Sequence, residues 1–138
     1  MEENQETELP VRWSVRISLS AFRDARAVIP RLAGRARLRR QAWKLQWWNS
    51  GDAEVLDVQC RPIPGVPMWE VLVEEGYGFG HGFRVVFVPL EPDGTIWVLC
   101  IMKMGEPVTE AMKMIFQARL NAIVERKDVS MENPFGVT

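Results

Sequence analysis

The stretch from Phe83 to Lys127 constrains the fold more than any other part of this 138-residue chain. Phe83-Arg84-Val85-Val86-Phe87-Val88 is a run of β-branched and aromatic residues, which suit a pleated, covered surface. Glu91-Pro92-Asp93-Gly94 follows, with Pro second and Gly fourth, the signature of a type I turn. Thr95-Ile96-Trp97-Val98-Leu99-Cys100-Ile101-Met102 is a second such run. Both runs are apolar on both faces, which predicts central strands covered on both sides. Gly105-Glu106-Pro107 predicts a helix start, with Pro in the first turn where its missing N–H is harmless. Up to Lys127 the spacing predicts one amphipathic helix, with Val108, Met112, Ile115, Phe116, Leu120, Ile123 and Val124 on its apolar stripe. Glu106 and Glu110 at its start and Arg126 and Lys127 at its end follow the helix dipole. One residue is out of place: Arg84 is a permanent cation inside an apolar strand, where an unpaired charge is expensive.

The rest of the chain fills in around this unit. Residues 1–10 read as an acidic tail, and 128–138 as a second tail with little pattern, leaving one domain over 11–127. Residues 11–19 alternate strictly, with Val11, Trp13, Val15, Ile17 and Leu19 on one side, predicting an edge or near-edge strand. Ser20 is a candidate cap for a helix over 21–33, in which Pro30 marks an early end or a kink. Gly34 breaks the pattern, and 35–48 resume it, predicting a helical hairpin. Val55, Leu56 and Val58 are a candidate short strand, whereas Arg61 to Pro67 reads as extended loop with Pro at every second or third position. Met68 to Glu75 predicts a strand, joined to Phe83 by a glycine-rich hairpin loop over 76–82. The expected fold is α+β, in the order β-α-α-β-β-β-α, with the helices packed on a small, mainly antiparallel sheet.

Charge is unevenly spread. Residues 9–44 carry ten Lys and Arg against one acid, Asp24, although the whole chain has a net charge of −1. Such a basic segment predicts either a polyanion-binding face or simply two solvated helices. No apolar run approaches the ~20 residues of a membrane span, so no membrane association is expected. Two isolated cysteines and an acidic N-terminus, which does not read as a signal peptide, point to a reduced, cytoplasmic protein. No metal or other cofactor is expected, because His81 is the only histidine and neither Cys60 nor Cys100 has a partner at ligand spacing.

Several local motifs resemble the RelE/ParE superfamily of bacterial toxins, including its HigB-like, phage-related branch. Trp69-Glu70-Val71 is similar to the start of the family's second strand. Gly82-Phe83-Arg84-Val85-Val86-Phe87 is similar to its Gly-Tyr-Arg-Val strand, and Trp97 to Lys103 to its last strand ending in Lys. Glu110-Ala111-Met112-Lys113 resembles the start of its closing helix. The resemblance spans roughly residues 11–126. It implies the toxin of a type II toxin–antitoxin system, a ribosome-associated endoribonuclease that inhibits translation by cutting mRNA without metal, with a cognate antitoxin as partner. In that chemistry the 2′-OH attacks the adjacent phosphate, helped by a base, a cation and an acid. Carried over, Arg84 would hold the phosphate, Lys103 would add charge on the same sheet face, Glu70 is a candidate base, and His81 or Tyr77 a candidate acid.

Other readings stand beside it. The second strand carries Glu70, Glu74 and Glu75 where active members often have bases, so a non-catalytic interaction module on the same fold, ParE-like or degenerate, is the alternative. Arg84 has a second reading as a cross-strand ion pair with Glu70 or Glu74. Lys103 has one as a solvated strand end, and His81 as an exposed loop residue. Arg35, Arg37, Arg39, Arg40 and Lys44 are candidate RNA-binding residues on the hairpin, while Trp43, Trp47 and Trp48 sit at spacing that predicts core packing. Self-association is left open.

Overall fold

A computed structural model describes residues 12–29, 32–48, 59–74, 82–125 and 130–131. In chain order these form β1 (Ser14–Ser18), α1 (Leu19–Val28), α2 (Leu32–Lys44), β2 (Gln59–Pro62), β3 (Trp69–Glu74), β4 (Gly82–Leu90), β5 (Thr95–Lys103), α3 (Glu110–Val124) and β6 (Ser130–Met131). The strands make one mixed sheet in the order β2-β3-β4-β5-β1-β6, in which only the β1–β5 pairing is parallel. The α+β class and the mainly antiparallel sheet hold within the described residues, but the order gains two strands that the expectation lacked, β2 before the meander and β6 after α3.

β4 and β5 are the two middle strands, as their two-faced apolarity predicts. Phe83, Val85, Phe87, Ile96, Val98 and Ile101 face one core, which α1, α2 and the chain just after α2 cover with Ala21, Ala25, Leu38, Leu45 and Trp48. Val86, Val88, Leu99, Cys100 and Met102 face a second core, which α3 covers with Phe116, Leu120 and Ile123. A bulge lets both sets coexist. Val86 is opposite Cys100 but Phe87 is opposite Val98, so Leu99 is an extra residue and joins Cys100 in the second core. The turn between them closes as expected: Gly94 N–H donates to Glu91 O at 3.1 Å, and Gly94 takes φ +63°.

Several expectations need correction. Arg61 and Pro62 belong to the edge strand β2, a place where a missing N–H is tolerated. The short strand expected at Val55, Leu56 and Val58 lies outside the described residues. Ser18, not Ser20, caps α1, its Oγ accepting from Ala21 N–H at 3.0 Å. Gly34 lies inside α2. The last helix starts at Glu110 rather than near Pro107, because Thr109 Oγ1 caps it by accepting from Met112 N–H. Ile115 and Val124 are exposed rather than on the buried stripe.

The sheet edge beside β1 shows how the layers are tied. β1 runs along β5 only as far as Ile17 opposite Val98, then turns into α1. The freed edge of β5 is satisfied by side chains. Asp24 of α1 accepts from Ile101 N–H at 3.2 Å, while Arg119 of α3 donates to Leu99 O at 2.8 Å. The two side chains pair at 2.6 Å, so a helix from each face closes round the edge. No helix among the described residues is long and apolar enough to cross a membrane.

Candidate nucleic-acid interface

Two sets of polar residues stand out, one inside the sheet layer and one on the helical hairpin. The first centres on Arg84. The β3–β4 register sets Arg84 opposite Leu72 and Glu70 opposite Val86, so Arg84 and Glu70 are diagonal neighbours on one sheet face. Arg84 Nε lies 2.9 Å from Glu70 Oε1, an ion pair whose N–H is too poorly aligned to be a full hydrogen bond. Its two terminal nitrogens donate to backbone carbonyls, Nη1 to Glu106 at 2.8 Å and Nη2 to Met104 at 3.2 Å. The Arg84 side chain is 13% exposed. Arg61 of β2 meets the other oxygen of Glu70 at 3.2 Å. All three guanidinium nitrogens therefore face protein acceptors, and the fork clamps the 103–106 turn onto β4.

Of the other described residues expected near Arg84, Glu70 joins it and Lys103 does not. Lys103 pairs in register with Phe83, whereas Arg84 pairs with Met102, so alternation puts Lys103 on the opposite sheet face. Its expected place on the Arg84 face is thus corrected. Glu70 sits between two guanidiniums, where its oxygens balance charge. Tyr77 and His81 lie outside the described residues. No group of three His, Cys, Asp or Glu that could hold a metal occurs among the described residues.

The second set lies on α1, α2 and the chain before β1. Arg39 and Arg40 are exposed, and Arg35, Arg37 and Lys44 half-buried. Asp24, the one acid of this basic segment, is spent on Arg119 and the β5 edge. No described carboxylate pairs with Arg26, Arg35, Arg39 or Arg40. The tryptophans divide. Trp48 is buried and packs edge-on against Trp13, Trp69 and Phe87 at 5.3–5.9 Å. Trp43 and Trp47, expected in the core, are 41% and 36% exposed. Arg12 lies over the Trp47 ring at 5.7 Å, and its Nε donates to the buried Gln46 Oε1 at 2.7 Å. Two exposed indole rings and exposed guanidiniums thus share this segment.

α1 and α2 flank a cleft of about 360 Å³. Ile17, Ala25 and Leu38 form its floor, Phe22 one wall, and Arg26, Arg35 and Arg39 its rim. Arg12 and Arg26 were not singled out in the sequence. The available signal was the spacing of Arg26, four residues after Phe22 and so on the flank of the apolar stripe. Comparisons with protein-family profiles, curated proteins and solved structures returned no match.

Proposed function

We propose that this chain is a non-catalytic binding module, RelE/ParE-like in architecture, that holds nucleic acid on the basic face of its helical hairpin. One observation carries the reading. The only acid among the residues of 9–44 is engaged by Arg119, while Arg12, Arg26, Arg39 and Arg40 are exposed on the segment that also exposes Trp43 and Trp47. The engagement of Arg84 with Glu70, Met104 and Glu106 favours the non-catalytic form over an endoribonuclease. Ribosomal or messenger RNA, the target the resemblance implies, suits such a face.

Binding of a fluorescent single-stranded oligonucleotide at several salt concentrations tests this. A face meeting about five phosphates gives a log–log salt slope near −3.5. Charge reversal by Arg39→Glu with Arg40→Glu should weaken binding at least tenfold and flatten the slope. Binding insensitive to salt and to these changes would remove the reading. RNA cut in wild type and left whole in Arg84→Ala would restore the nuclease.

A further inference from the structure

α1 and α2 do not interdigitate; they flank an open cleft of about 360 Å³, at the low end of ligand-pocket sizes. Its chemistry is two-sided. Ile17 and Leu38 at the floor are buried, so Phe22, only half-buried, gives the cleft its accessible apolar face. Arg26 and Arg39 at the rim are exposed, Arg35 half-buried, and no described carboxylate pairs with any of them. An apolar guest alone would strip water from three cations without replacing it. An inorganic anion alone would leave the Phe22 ring wet. A flat ring joined to an anion uses both parts.

We infer that the cleft between α1 and α2 takes one unstacked nucleoside monophosphate unit, its base against Phe22 and its phosphate on Arg26, Arg35 and Arg39. The inference rests on the hairpin being a nucleic-acid face and narrows what that face selects. A duplex hides its base faces in the stack, whereas a single strand offers them to an aromatic wall. An interior unit of a strand carries a phosphate on either side of its base, which matches cations contributed by two helices. A free nucleotide offers the same ring and one phosphate, so a strand should bind more tightly.

The experiment compares oligothymidylate, an abasic strand of equal length, a duplex and free thymidine monophosphate, on wild type and Phe22→Ala. Oligothymidylate should bind wild type about tenfold tighter than the abasic strand, the scale of one base–aromatic stack. Phe22→Ala should remove that difference while leaving abasic binding where it was. Free nucleotide competing as strongly as the strand would assign the same site to a small molecule. Equal wild-type affinity for the thymidylate and abasic strands overturns the inference, and this comparison does not depend on any variant folding. Loss of salt-dependent binding to every strand overturns the underlying reading instead.

Discussion

Replacing Arg84 by Met should destabilise the protein by about 3 kcal/mol. The Met side chain keeps most of the apolar stem, so the loss is mainly electrostatic. Three contacts go: the 2.9 Å pair with Glu70 and the donations to Glu106 O and Met104 O. Breaking one side of a buried pair costs about 3–5 kcal/mol, because the remaining charge stays desolvated. Two features reduce this. The Glu70 and Arg84 side chains are 12% and 13% exposed rather than sealed. Arg61 still meets Glu70, but its side chain is 51% exposed, so this pair contributes about 1 kcal/mol at most. With a urea slope of about 2 kcal/mol/M, the midpoint should fall by about 1.5 M. Glu70→Leu with Arg84→Met should recover at least about 1.5 kcal/mol of the summed single losses, since no orphaned charge remains. Arg84→Lys should lose about 1–2 kcal/mol, because one ammonium cannot span three acceptors in a fork. A fully stable Arg84→Met would refute the reasoning and free the guanidinium for a ligand.

Gly82→Ala should cost about 1–3 kcal/mol in the same assay, since a Cβ there would stand 2.6 Å from the Val73 carbonyl oxygen and 2.5 Å from Met104 Cε. Burial pushes the Cys60 thiol up to about 11 and the Cys100 thiol up to about 12, the latter helped by Asp24. The native protein should therefore resist iodoacetamide at pH 8 until urea unfolds it. Both folded values lie above the unfolded one, so this contribution to stability is whole below about pH 9 and is lost as pH rises through 11–12. Urea midpoints at pH 8 and 10.5 should show the fall, and Cys100→Ala should lessen it. Asp24→Ala removes the carboxylate that Arg119 pairs with and the acceptor of the Ile101 N–H, and should cost about 2–3 kcal/mol, with faster hydrogen exchange at Ile101 as the local sign.

The β4–turn–β5 unit was legible because its signals are short-range. β-branched runs, a Pro-Asp-Gly turn and a 3.6-residue stripe act through neighbours a few positions away. Edge strands were less legible: β2 and β6 are two to four residues long and exist through the partner they lie against. The tryptophans of α2 show a second limit. Spacing put Trp43, Trp47 and Trp48 in one class, but the chain leaves the α-helix at Leu45 for a 3-10 turn, and only Trp48 reaches the core.

From residues alone came the α+β class, the two-faced central strands, the basic segment from 9 to 44 and the oddity of a cation in an apolar strand. Tertiary structure decided what those charges do. It put Glu70 beside Arg84, sent Lys103 to the other sheet face, and took Asp24 away from the basic surface to an arginine 95 positions along the chain. Helix and strand preferences are properties of local covalent geometry, so they can be read in order. Charge pairing acts through space at a few ångströms, and which charges come that close is set only when the layers pack.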